Sequence, residues 1–323
     1  MTVGRAAWFN AGAAALALAL SIGAAAWSAR RAAPAAATPA TPAASAAAAD
    51  ADASIADAGG FRIVVRPFRR IASGSTVADR LLLDLAEPER IIALTEFGAR
   101  HSTVRHRYGQ RSLIRDVDDV EFLLGLKADL ILVNNYGDRA RVARLRDAGL
   151  AVFDLGEMRG LATLLPNIRA VAALLGDRAR GADYERALVA RLSRVAAPLG
   201  ARPRRRALYA SIYGTHVYGG TVGSNYHDVL VSGGLDDVAA ARFRNWPEYG
   251  AEDLLALDPP LIVTKPGMRR AFCAQPGLDH LRACASPNGF IEIPGALLDD
   301  PGPAILEAAE AVFAAAYPHD DPH

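Results

Sequence analysis

Along most of this chain, short continuous apolar runs alternate with longer stretches whose apolar residues recur at helical spacing. The runs FRIVV (61–65), RIIALT (90–95), LILV within KADLILVNN, and LAVFDL (150–155) have the length and flanks of strands buried on both faces. Between them lie helical patterns. One follows Ser75 or Thr76, either of which can cap it, and buries Leu81, Leu82 and Leu85. VEFLLGL is a second, and RARVARLRDAG, stopping at Gly149, is a third. Strand–helix alternation predicts a largely parallel sheet covered by helices. A long helical region then occupies Leu161–Ala197, with Gly176 and Gly181 as candidate breaks, before the same grammar resumes. RRALYASI reads as a strand, TVGSNYHDVLVSGGL as a loop entering a helix, AEDLLALDPPLIVTKPG as helix, turn and strand, and LRACASPNGFIEIPG as a further short strand. PAILEAAEAVFAAAY closes the pattern as a terminal helix. AEDLLALDPPLIVT echoes VEFLLGLKADLILV. The expected fold class is α/β: two Rossmann-like lobes with largely parallel sheets, joined by a long helix.

The N-terminal segment breaks this rhythm. Ala6–Ala29 is almost wholly apolar, with Arg5 before it and Arg30 and Arg31 after it. It is long enough to cross a bilayer once as a helix, and it also carries the three regions of a secretory signal. Cleavage and retention as an anchor both remain open. No cysteine follows to accept a lipid. The next stretch is built of Ala, Pro, Ser, Thr and Asp, too small to bury much area against the cost of ordering it. The expected organisation is a signal peptide or membrane anchor over 1–31, a linker over 32–60, an N-terminal lobe over 61–160, a helical connector over 161–203, a C-terminal lobe over 204–318, and a tail over 319–323.

Composition narrows the function classes. Among 323 residues, 36 are basic and 35 acidic, and a net charge of +1 gives no reason to expect a nucleic-acid partner. The two cysteines, Cys273 and Cys284, fall in one short stretch of an exported body, where a disulfide is expected. No G-x-G-x-x-G, P-loop or G-x-S-x-G pattern is present. His101 and His106 near Glu96 lack a recognised metal-ligand spacing, and Ser224 near His227 establishes no relay. No catalytic residue and no intrinsic cofactor is expected.

Ligands of open parallel sheets bind beyond the carboxyl ends of the strands. Here those positions carry Ser75, Glu96, Phe97, Asn135 and Tyr136 in the first half, and Tyr213, His216, Tyr218 and Lys265–Pro266 in the second. Tyr226, Trp246 and Tyr249 stand close by in sequence. Aromatic rings at such places hold a broad organic surface while hydroxyl and imidazole groups orient it.

In the order and spacing of RIASGSTVADRLLLDLA, ERIIAL, VEFLLGLKADLILV, TVGSNYHDVLVSGGLDDVAA, AEDLLALDPPLIVT and PGPAILEAAEAVF, the chain resembles the cobalamin and iron-chelate periplasmic substrate-binding proteins of ABC importers, over about Arg70 to Tyr317. Ala128 replaces the family's frequent proline. The resemblance implies a monomer that binds a metal-bearing chelate (a corrinoid such as cobalamin, haem or an iron-siderophore) and delivers it to an ABC permease and its ATPase. It further implies an acidic docking residue on each lobe, here Asp79, where the family more often has glutamate, and Glu252 or Glu248. A membrane-anchored ligand sensor and a metal-dependent cleft enzyme are the alternative readings.

Overall fold

The computed structural model describes residues 53–318; the apolar N-terminal run, the linker through residue 52 and the 319–323 tail lie outside them. The linker expectation was too long at its end. Ser54–Ala56 (β1) pairs antiparallel with Arg62–Val64 (β2). The hairpin is pinned by buried Asp57, whose carboxylate accepts the N–H groups of Gly59 and Phe61 at 2.9 Å and pairs with Arg146.

The first lobe then alternates as its apolar runs require: β3 (Ile71–Ser73), α1 (Thr76–Leu85), β4 (Ile91–Thr95), α2 (Glu96–His101), β5 (Ser112–Ile114), α3 (Val120–Gly125), β6 (Leu130–Val133), α4 (Arg139–Asp147) and β7 (Val152–Asp154). Strands β3 to β7 form one parallel sheet in the order β5-β4-β3-β6-β7. All four residues of β6 are buried, which is why its sequence shows no alternation. Ser75 caps α1 by accepting the Ala78 N–H at 3.2 Å, and Asp119 and Asp138 cap α3 and α4.

The long helical region breaks at Gly176, one of its two candidate positions. It is two helices, α5 (Leu161–Leu175) and α6 (Arg178–Val195), packed on each other. Gly176, at φ +85°, ends α5 in the left-handed conformation, and Asp177 caps α6. Gly181 breaks nothing: a Cβ there would lie 2.3 Å from the Ala172 Cβ, so its bare backbone permits the close approach of the two helices.

The second lobe contains β8 (Arg205–Tyr213), β9 (His216–Gly219), α7 (Asn225–Ser232), β10 (Leu235–Asp237), β11 (Glu248–Tyr249), α8 (Ala251–Leu257), β12 (Ile262–Thr264), α9 (Met268–Cys273), α10 (Arg282–Ala285), β13 (Phe290–Glu292), α11 (Gly295–Leu298) and α12 (Ile305–Ala316). Strands β8, β10, β12 and β13 are parallel neighbours, while β9 and β11 run antiparallel at one side. The sequence pattern assigns no strand to the segment around β9. A two-residue turn at Gly214–Thr215, with Gly214 at φ +62°, makes it a hairpin with β8 instead. Cys273 and Cys284 form the expected disulfide and tie α9 to α10 across 5.7 Å between Cα atoms. The bridge shortens the loop open to the unfolded chain.

One hydrophobic core runs through both lobes. It joins Ile71, Leu132 and Phe153 to Leu164, Val171 and Leu188 of the connector, and these to Tyr209, Val263, Ile305 and Val312. Polar contacts reinforce that seam. Arg80 of α1 meets Glu307 of α12 at 2.9 Å, and Tyr184 of α6 donates to Asp84 of α1 at 2.7 Å. No helix among the described residues is long and apolar enough to cross a membrane.

Candidate functional site

Because the first-lobe strands are parallel, their carboxyl ends share one edge and deliver the following residues to one place. Gly74–Thr76, Thr95, Phe97, Arg115–Val117 and Tyr136 surround a cavity of about 330 Å³, closed from the second lobe by Asp299. A neighbouring cavity of about 260 Å³ shares Thr76, Phe97 and Asp299 and adds Arg80 and His101 on one side and Asp300 and Ala304 on the other. The two form an interlobe cleft.

Phe97 and Tyr136 are 62% and 60% exposed, so their rings are free to meet a ligand. The turn that presents Tyr136 is built locally. Tyr136 sits at φ +47°, and buried Asn135 holds it by accepting the Gly137 N–H at 2.8 Å and donating to Asp154 at 2.9 Å. Both ends of the Asn135 amide are thereby used, so it shapes the wall and is withheld from a ligand. Ser75 is also buried and spent, on capping α1. Glu96 is held by Arg100 at 2.5 Å and Arg115 at 3.0 Å, which keep its carboxyl below the usual range, Arg115 foremost.

On the second lobe, Asp299 accepts the Tyr226 hydroxyl at 2.9 Å and the Lys265 ammonium at 3.0 Å, and Lys265 also donates to the Tyr213 hydroxyl at 2.7 Å. Burial pulls the Lys265 pKa down, but the Tyr213 and Asp299 contacts outweigh it and the net shift is upward. Tyr226 lies stacked on Tyr209, ring centroids 3.7 Å apart, and burial pushes its phenol pKa up. Its hydroxyl is committed to Asp299 as a donor. Tyr213 is 57% exposed with Tyr218 edge-on at 6.0 Å. His216, beyond them at the hairpin turn, is paired with Glu248 at 2.5 Å. Trp246 is 39% exposed and lies under the Arg159 guanidinium at 5.2 Å, joining the end of the first lobe to a second-lobe loop.

Besides Ser75 and Asn135, two further expectations fail. Tyr249 is a core residue, 4% exposed and edge-on to Phe243 at 5.1 Å, because β11 turns it inward against Val217. Asp79 is fully buried, so it cannot meet a partner's arginine. Its carboxylate accepts the Thr95 N–H at 3.1 Å, the Thr95 hydroxyl and the Tyr108 hydroxyl at 2.9 Å. Burial pushes its pKa up against the pull of those donors. Glu248 and Glu252 are exposed.

Sequence reasoning overlooked Asp299, Arg115, Thr76 and His101 as cleft residues. Lys265 carried a signal, as one of only two lysines and the residue directly after β12. Asp299 carried none, since its place depends on Lys265 and Tyr226, distant in sequence. Among the described residues no group of three or more His, Cys, Asp or Glu is arranged to hold a metal.

The sequence pattern of the periplasmic binding protein family matches residues 71–288. Cobalamin-binding proteins from two strains of Halobacterium salinarum are 25% identical over 200 residues, covering 60% of this chain and 53% of theirs, so the chain spans about half the length of the curated relatives it matches. Among solved structures, a possible iron-binding periplasmic solute-binding protein from Staphylococcus epidermidis aligns with TM-score 0.68 at 14% identity, covering 78% of this chain and 100% of that one. A periplasmic heme-binding protein from Roseiflexus sp. RS-1 aligns with TM-score 0.64 at 18% identity, covering 77% and 99%. At those identities the likeness is one of fold.

Proposed function

Because the chain belongs to the periplasmic binding protein family, we propose that its interlobe cleft captures a corrinoid outside the cytoplasm and delivers it to an ABC permease and its ATPase. Membership of that family makes it a solute-binding protein rather than an enzyme. The observation that carries the corrinoid reading is the charge balance of the cleft. Arg80, Arg115 and Lys265 each already have a carboxylate partner, in Glu307, Glu96 and Asp299. Asp116 and Asp300 add further acidity to the lining. Glu96 serves Arg100 as well as Arg115, but among the described lining residues no arginine or lysine stands without a carboxylate partner to meet the carboxylates of haem or the charges of a ferric catecholate, whereas exposed Phe97, Tyr136 and Tyr213 suit a broad ligand edged with neutral amides. The cobalamin-binding relatives support the same choice. The ligand is cargo, and its own metal needs no resident ligand set.

Native mass spectrometry with cyanocobalamin, haem and a ferric tris-catecholate tests this reading. Cyanocobalamin should be retained, and Tyr213→Ala should weaken it by about 2 kcal/mol, roughly thirtyfold in Kd by calorimetry. Preferential retention of haem or the catecholate would overturn it.

With Asp79 removed from the surface, docking to the permease falls to Glu248 and Glu252. Reversing both to arginine should reduce uptake and the salt sensitivity of carrier–permease association while leaving ligand affinity within about twofold. Unchanged uptake at equal protein levels would dismiss the assignment.

A further inference from the structure

At the edge of the first lobe opposite the cleft, the segment FRIVVRPFRR combines exposed apolar groups with unpaired charge. Phe61 and Val64 are 49% and 54% exposed. With Ile63, Arg66, Phe68 and Arg146 they border a groove of about 630 Å³. Arg62, Arg66, Arg69 and Arg70 are all exposed. Arg62, Arg66 and Arg70 donate only to hydroxyl or carbonyl oxygens, those of Ser54, Asp129, Lys127 and Leu126. None of the four forms an ion pair among the described residues, so their charge is not neutralised at close range. Two carboxylates stand near: Asp147 lines the groove without an ion pair to any of the four arginines, and Asp129 accepts the backbone N–H groups of Arg69 and Arg70 at 2.7 and 3.0 Å. Arg70 directly precedes β3, and its carbonyl accepts the N–H of Asp129 just before β6, which fixes the patch at the amino ends of the parallel strands.

We propose that this face rests on an anionic phospholipid surface, with Phe61 and Val64 entering the headgroup layer and the four arginines meeting lipid phosphates. Basic charge interleaved with exposed apolar side chains is the composition that binds anionic membrane interfaces, and it selects a bilayer over other partners. In this resting pose the amino ends of the first-lobe strands face the lipid and the cleft opens away from it, toward solute. Binding through arginine and two apolar side chains is reversible and salt-sensitive, so the body remains able to turn its cleft to a permease. The inference is independent of which ligand the cleft holds.

The test uses the protein as recovered from the cell envelope, added to or reconstituted in phosphatidylcholine vesicles with and without phosphatidylglycerol at about one third of the lipid. Hydrogen exchange across residues 61–70 should slow at least about threefold with the anionic vesicles alone, and the protection should vanish at high salt. Arg62→Glu/Arg66→Glu/Arg69→Glu should abolish the protection, whereas the corresponding lysine triple should keep it. Unchanged exchange in β12 serves as the folding control. Equal exchange in the two vesicle types sinks the proposal. So does protection that survives the charge reversal, or protection appearing at Phe97 and Tyr136 instead.

Discussion

Replacing Asp79 by alanine should cost the fold about 3–5 kcal/mol, because it removes the common acceptor of a sealed polar cluster. Three donors converge on this carboxylate: the Thr95 N–H, the Thr95 hydroxyl and the Tyr108 hydroxyl. Asp79 is 0% and Tyr108 3% exposed, so water cannot replace the lost acceptor without opening the structure. Gly98 closes the cluster from above, where even a Cβ would stand 2.2 Å from the Tyr108 hydroxyl. Urea unfolding at neutral pH gives the measurement. A loss below about 1 kcal/mol would be what an exposed carboxylate gives, and would refute the burial of this network.

A second large effect should follow pH. Asp300 is half-buried, and burial pushes its pKa up to about 6, with the Gly302 N–H and Arg80 pulling down and Glu307 and Asp79 adding to the rise. The folded state thus holds this proton more tightly than the unfolded chain, whose aspartates titrate near pH 4. Its contribution is full below about pH 4 and drains away as pH rises through 6, by an amount on the order of 2–3 kcal/mol. The loss falls on the interlobe seam, since the loop after Asp300 packs on α1: a Cβ on Gly302 would lie 3.0 Å from Val77. Asp300→Asn should flatten the stability profile between pH 4 and 7 relative to the unmodified protein. Parallel profiles for the two proteins would rule Asp300 out as the source.

What could be read in the sequence was what local rules determine. Buried parallel strands showed themselves as short apolar runs, Ser75 or Thr76 marked the start of α1, where Ser75 proves to be the cap, and two cysteines in one stretch found each other. Strand ends also pointed to Phe97 and Tyr136, which line the interlobe cavities, and to Tyr213, which is joined to them only through Lys265 and Asp299. The misreadings share a different cause, because each depended on a partner remote in sequence. Asp79 looks like a polar position on an amphipathic helix until Tyr108, from beyond β4, covers it. Tyr249 and Tyr213 are alike in sequence, yet pairing with β9 turns the first into the core, while the second ends β8 at the cleft. Asp299 becomes a cleft group only when Lys265 and Tyr226 reach it. The connector is the mildest case: Gly176 signalled its break, but nothing local indicated that α6 folds back on α5.

The continuity of the core has a bearing on how such a protein can be recombined. Two lobes with a repeated strand–helix grammar invite treatment as interchangeable modules. Here, however, Leu164, Val171 and Leu188 of the connector belong to one buried cluster with residues of both, in which Ile305 and Val312 of α12 are continuous with Phe153 of the first lobe. A half grafted onto a relative's half would inherit a mating surface shaped for other side chains, with the overpacking and voids that close-packed interiors tolerate poorly. The smallest transferable unit for altering ligand preference is therefore the loop at a strand's carboxyl end, which can change without disturbing the seam beneath it.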